Sequence, residues 1–245
     1  MGTMIRPGIA TAVSAFAGLI FCAGAATAEM GPCMPADFDL ICGSGDGAAR
    51  AIVKTISPSK QLAFAWRLAD RPPTDRPGND DPKLENFVVR IANGAIVALS
   101  HGTYWDLGTK IAKAYLMTAW SPDSRLLVKV EQRERSAIAE LYSFADDGAA
   151  LGPVDLNKII EPLLLGGLLD VESANQYGLI FPAFPKITVD DQGLVHAVIY
   201  TIGPEASFGP ASDVTLQVRR GPHSLDAEVA SIAPHRGSSI SVIAH

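Results

Sequence analysis

The sequence has 245 residues, with 20 basic against 26 acidic side chains and a formal net charge of −6. That balance disfavours nucleic acid and anionic membrane surfaces, both of which are bound through basic patches. At this length one domain is the expectation, and such a chain can enclose a sizeable core.

Residues 1–28 read as a cleavable signal peptide. One positive charge, Arg6, precedes the apolar run "GIATAVSAFAGLIFCA", and small residues at Ala26 and Ala28 suit a signal peptidase. The alternative is an uncleaved anchor, because Gly8 to Ala28 is long enough to span a membrane. Its Ala, Gly and Thr content makes a weak membrane helix. Phe21 is too bulky for the position before a lipidated Cys22. The expectation is a periplasmic or secreted protein that begins near Glu29 and has no membrane span after cleavage. Losing the segment removes Arg6 and no acid, so the remainder is more acidic still. Residues 29–245 then form a single β-rich domain.

Cys22 leaves with the signal, and Cys33 and Cys42 remain. In an oxidising compartment their simplest fate is a disulfide that closes the N-terminal segment 29–50. The stretch "CGSGDGA" (42–48) has the glycines of a phosphate cradle. It lacks the βαβ context of a dinucleotide site and the Gly-Lys-Ser/Thr of a P-loop, so it reads as a flexible turn.

A repeat follows. "SPSK" (57–60) leads into "QLAFAWRLA", a polar loop, "NFVVRIA", the turn pair Asn93-Gly94 and "AIVALSH". "SPDS" (121–124) leads into "RLLVKVEQ", "SAIAELYSFA", the turn "DDG" (146–148) and "AALGPV". A looser third copy runs "KITV", "DDQG" (190–193), "LVHAVIYTI", a Gly-Pro-rich loop, "SDVTLQVRR" and "AEVASIA". Alternating apolar and polar residues predict strands, and the Asn-Gly and Asp-Asp-Gly steps predict hairpin turns. Hairpin strands are expected within 51–69, 87–100, 115–130, 137–152 and 186–202.

Two intervening segments differ in character. The linker "RPPTDRPGNDDPKLEN" (71–86) carries Asp75, Asn79, Asp80 and Asp81 without the ligand rhythm of a calcium loop. The stretch 154–175 predicts a helical insert: Leu156, Ile159, Ile160, Leu163, Leu164 and Leu168 follow helical spacing after Asp155 as N-cap. Pro162 and Gly166-Gly167 predict a kink or two short helices. A Ser/Gly-rich tail, 233–245, is expected to be flexible.

The stretches "WSPDSRLLV" and "SPSKQLAF" resemble the Trp-Ser-Pro-Asp-Gly signature of blades in TolB-like periplasmic β-propellers, with Ser124 and Ser59 standing where that signature has Gly. The resemblance implies a mainly β chain of repeated four-stranded antiparallel meanders, propeller-like, with about three blades and one helical insert. Closed propellers have roughly four to eight blades, so three leave either an open stack or a further set hidden in the termini. A β-sandwich is the alternative fold.

Candidate chemistry is sparse. His101, His196, His223, His235 and His245 have no metal-ligand spacing, no nucleophile elbow is present, and no cofactor is implied. The segment "SHGTYWDLG" gathers His101, Tyr104, Trp105 and Asp106 in a loop after a strand, and such loops carry function. Trp and Tyr favour binding hot spots, so this loop is the candidate binding site. Inward packing of both rings is the alternative. The functional expectation is an exported, non-catalytic binding or scaffold protein of the cell envelope, with another envelope protein or a glycan as partner. An exported hydrolase with carboxylates on the blade loops is the competing class.

Overall fold

The computed structural model describes residues 29–78, 81–107, 114–133, 136–146, 149–168, 181–202 and 211–236. Among these residues three antiparallel sheets follow one another along the chain, and none of the three closes on itself. The first contains β1 (Cys33–Ala36), β2 (Asp39–Cys42), β3 (Ala49–Ala51), β4 (Leu62–Leu68), β5 (Leu84–Arg90) and β6 (Ile96–Ser100). The second contains β7 (Tyr115–Trp120), β8 (Leu126–Arg133), β9 (Ser136–Phe144) and β10 (Ala150–Asp155). After α1 (Asn157–Leu168) comes the third: β11 (Phe181–Val189), β12 (Leu194–Ile202), β13 (Ser212–Arg220) and β14 (Leu225–Pro234). Spatial order equals chain order in each, so every sheet is a meander.

Three strand-entry turns are built alike. At the entry to β4, Ser57 N donates to Leu62 O (2.8 Å), Lys60 N to Ser57 O (2.8 Å) and Leu62 N to Ser57 Oγ (3.2 Å). At the entry to β8 the same bonds run from Ser121 N to Leu126 O (3.0 Å), Ser124 N to Ser121 O (2.9 Å) and Leu126 N to Ser121 Oγ (2.8 Å). The serine hydroxyl thus holds the amide that opens the strand, as Ser and Asp do in turns. The third copy is one residue shorter. Asp190 N donates to Leu194 O (3.0 Å), and Leu194 N donates to Asp190 Oδ1 (2.8 Å), so Asp takes the serine's part. Lys60 and Ser124 both sit at positive φ (60° and 63°), where Gly193 sits in the third copy (78°). In the 57–62 turn the left-handed position is therefore held by Lys60, not Ser59.

Strand parity places the layers. Along β8, Leu126, Val128 and Val130 share a core with Val195, Ala197 and Ile199 of β12. Leu127 points the other way and packs with Leu62 and Val88 of the first sheet. The second sheet is therefore the middle layer of a face-to-face stack, with buried residues on both sides. The far face of the first sheet curls over small residues. Ala49, Ala51, Ala63 and Ala65 surround the Cys33–Cys42 disulfide together with Phe87 and Val89. The two cysteines are register partners across β1 and β2. Residues 31–33 then tie to the β5–β6 turn, with Gly31 N donating to Asn93 O (3.0 Å) and Cys33 N to Ile91 O (2.9 Å). Gly94 in that turn has φ +69°, and a Cβ there would overlap the Gly31 carbonyl.

Several sequence expectations change in detail. Segment 29–50 is not merely a disulfide-closed loop, because its two arms are strands that extend the first sheet. The physical reason is the Cys33–Cys42 bond in the curl together with the backbone ties of residues 31–33 to the β5–β6 turn, which local composition does not reveal. β5 begins at Leu84, inside the stretch read as linker. The helix runs through Pro162 as one element, and Asp155 Oδ1 accepts the Asn157 amide (3.1 Å) just before it. Residues 169–175 of the expected insert, and 1–28 and 237–245, lie outside the described residues. So do Asn79, Asp80 and the two last positions of the "DDG" turn.

Candidate functional site

The loop that joins β6 to β7 enters the gap between the first and second sheets. Asn86 on β5 fixes it through a reciprocal pair: its Nδ2 donates to Tyr104 O and its Oδ1 accepts Tyr104 N, both at 2.8 Å. Trp66 Nε1 donates to Asp106 O (3.1 Å), and the Tyr104 hydroxyl donates to Asp106 Oδ2 (3.0 Å). Tyr104 meets Phe64 edge to face, 6.0 Å between ring centroids. The Arg76 guanidinium lies over the Trp105 ring at 5.5 Å.

The four residues singled out in the sequence separate here. Tyr104 and Trp105 are 0% and 2% exposed, in one cluster with Phe64, Trp66, Leu68 and Leu116. The aromatic pair expected to face a partner faces the protein's own core. The reason is the gap between the first and second sheets, which the two rings fill against Phe64, Trp66 and Leu116. Asp106 is half-buried beneath them. Only His101 reaches solvent, with 78% of its side chain exposed.

Behind His101 lies a charged network that the sequence reading missed. Lys129 and Glu131 of β8 and Glu140 of β9 are 0%, 0% and 2% exposed, on the face of the middle sheet that meets the first sheet. Lys129 Nζ donates to His101 O (2.7 Å), Glu131 Oε2 (3.4 Å) and Glu140 Oε2 (3.4 Å), and it lies 5.6 Å from the Phe64 ring centroid. Glu140 Oε2 also accepts the hydroxyls of Ser100 (2.7 Å) and Tyr142 (2.8 Å). Glu140 Oε1 accepts His101 N (3.0 Å) and lies 2.7 Å from His101 Nδ1. Glu131 Oε1 accepts Thr103 N (3.3 Å). The backbone of 101–103 is thereby clasped by two carboxylates and an ammonium. Gly102 makes the approach possible: it has φ +113°, and a Cβ there would overlap the Glu131 carboxylate.

Burial opposes the charge on Glu140. Lys129 and the hydrogen bonds from Ser100, Tyr142 and His101 outweigh it, holding this carboxyl below the ordinary range. Burial pushes the Tyr142 phenol up, and the Glu140 charge adds to the effect, so it stays a hydroxyl donor. Tyr104 is raised in the same way, by burial and then by Asp106. No group of three or more His, Cys, Asp or Glu among the described residues is placed to hold a metal ion. The arrangement can dock a loop by compensating charges away from water.

A smaller polar array lies on the outer face of the third sheet. Thr188, His196, Thr215 and Ser231 are register partners across its four strands. His196 Nε2 is 3.0 Å from Asp190 Oδ2, whose carboxyl is held low first by that hydrogen bond.

Comparison with known proteins finds no family model, no curated protein and no solved structure that matches this chain.

Proposed function

We propose that the chain is an exported, non-catalytic binding or scaffold protein of the cell envelope, built from three blade-like sheets in an open stack. The carrying observation is the fate of its interior acids and bases. Glu140 accepts from Ser100, His101, Lys129 and Tyr142, and Lys129 donates to three oxygens. Groups that a hydrolase would direct at a substrate are here engaged with one another. The Cys33–Cys42 disulfide supports an oxidising compartment. Among the described residues no helix is long and apolar enough to cross a membrane. The blade-like reading rests on the shared turn geometry and the common facing of Leu62 and Leu126.

The hydrolase reading has one observation in its favour, the contact between exposed His101 and buried Glu140 (2.7 Å) with Glu131 close by. Chromogenic ester, phosphoester and glycoside panels on the purified chain separate the two. The expected result is no turnover, together with stoichiometric crosslinking to an envelope component. Turnover that disappears in Glu140→Gln, in protein that remains folded, overturns the proposal.

A further inference from the structure

An open cleft of about 330 Å³ lies where all three sheets converge, lined by Lys54, Leu116, Met117, Thr118, Lys186 and Ile187. Lys54 comes from a 3-10 turn at Val53–Thr55, after β3, and Lys186 comes from β11. Between them runs β7, the edge strand of the middle sheet, paired only with β8. Three consecutive β7 residues line the cleft, and consecutive side chains of a strand point to opposite faces. The cleft therefore straddles the strand's open edge.

The backbone at that edge can be assigned. Ser121 N donates to Leu126 O, and the β7–β8 register continues the same pairing through Ala119↔Val128 and Met117↔Val130. Antiparallel pairs alternate, so hydrogen bonds to β8 fall on Ser121, Ala119, Met117 and Tyr115. The N–H and C=O groups of Leu116 and Thr118 point away from β8, into the cleft. Both flanking lysines are exposed, and among the described residues neither ammonium has an ion-pair partner. Two free cations beside an open strand edge stand out on a chain of net charge −6.

We propose that the β7 edge is a binding site for an extended acidic peptide segment of a partner protein, added antiparallel or parallel as a fifth strand of the middle sheet. Main-chain hydrogen bonds to Leu116 and Thr118 supply the docking, as in other strand-addition complexes. Acidic side chains on opposite faces reach Lys54 on one side and Lys186 on the other, while apolar ones rest on the half-buried Met117 and Ile187. The site deepens the binding-protein reading and rests on it.

The test uses the full folded chain and a fluorescent ten-residue peptide of repeated Glu-Glu-Val-Val, which places Glu on both faces of a strand, followed by anisotropy. Three competitors accompany it: the Lys-Val peptide, the Glu-Val peptide N-methylated at alternate residues, and inorganic phosphate. Binding of the acidic peptide should weaken at least tenfold in Lys54→Glu/Lys186→Glu, a surface change that leaves the melting temperature in place. The Lys-Val and N-methylated peptides should compete at least tenfold less well than the parent. An N-methylated peptide that competes equally means that charge alone is read, and phosphate that competes equally means a small-anion site. Either result overturns the strand-addition proposal, as does a folded protein that ignores the acidic peptide at millimolar concentration. Self-association lost in the double variant would assign the edge to a second copy and also overturn it. The binding-protein reading fails separately, on substrate turnover, whatever the peptide does.

Discussion

Replacing Lys129 by Met removes one charge from the sheet interface and keeps the length of the side chain. The ammonium donates to His101 O at 2.7 Å and to Glu131 and Glu140 at 3.4 Å. Without it, two carboxylates that are 0% and 2% exposed face each other across neighbouring strands. Breaking a buried ion pair by deleting one partner destabilises by about 3–5 kcal/mol, because the remaining charge keeps its desolvation penalty. For a domain of this size that lowers the melting temperature by roughly 6–20 °C. Urea unfolding read by tryptophan fluorescence suits the test, since Trp66 and Trp105 lie in the cluster beside the network. A second variant isolates the cause. Lys129→Met/Glu131→Gln/Glu140→Gln leaves no unpaired carboxylate in this network, so it should be more stable than the single variant. A single variant within about 0.5 kcal/mol of wild type, the usual range for surface changes, refutes the buried network. A triple variant less stable than the single one refutes charge compensation as its basis.

Trp105→Ala should lose about 3–5 kcal/mol of stability, the usual range for truncating a core aromatic, because the ring is 2% exposed. Thermal melting decides it, and a near-native melting temperature would return the ring to the surface. The Glu140 carboxyl is held below its unfolded value, so its contribution is complete above the unfolded pKa of about 4.3 and is lost as pH falls through the folded one. Wild type should therefore lose more stability than Glu140→Gln on acidification from about pH 5, measured by urea titrations at successive pH values; parallel curves would contradict the assignment. Lys60→Gly should raise stability by about 0.5–1 kcal/mol, since an L-residue in the left-handed region costs roughly 1–2 kcal/mol and glycine offsets part of that with chain entropy. An unchanged unfolding midpoint would mean that the φ of 60° carries no strain.

Local rules located most of the strands but not what covers them. "LLVKVEQ" alternates apolar with charged residues, the pattern of a strand with one wet face. Its Leu126, Val128 and Val130 do face a core. Its Lys129 and Glu131 also face an interior, because the first sheet stacks on that side. No periodicity distinguishes a solvated charged face from one closed by a second sheet and neutralised by Glu140, eleven residues away on the next strand. The disulfide was legible from the two cysteines alone. The strands beside it were not, since Cys33–Ala36 and Asp39–Cys42 are short, and Pro35 with the glycines that follow Cys42 reads as loop. The aromatic loop was legible as a special place and misleading in direction, because exposure depends on the gap between sheets.

The blade-like reading proposed above leaves a physical problem, because an open stack exposes two end faces that a ring would bury. The two ends solve it differently. At the first sheet, the face carrying Ala63 and Ala65 is closed by the chain's own N-terminal hairpin, with the disulfide inside the curl. At the third, the face equivalent to Leu62 and Leu126 begins with Leu194 but continues through His196, with Thr188, Thr215 and Ser231 beside it. An apolar end face invites another sheet, whereas a polar one ends a repeat array in water. At the residues named, one end is therefore covered by the chain's own hairpin and the other is polar. What the stack leaves unfinished is lateral: the β7 edge, where backbone groups and two lysines meet without a partner among the described residues.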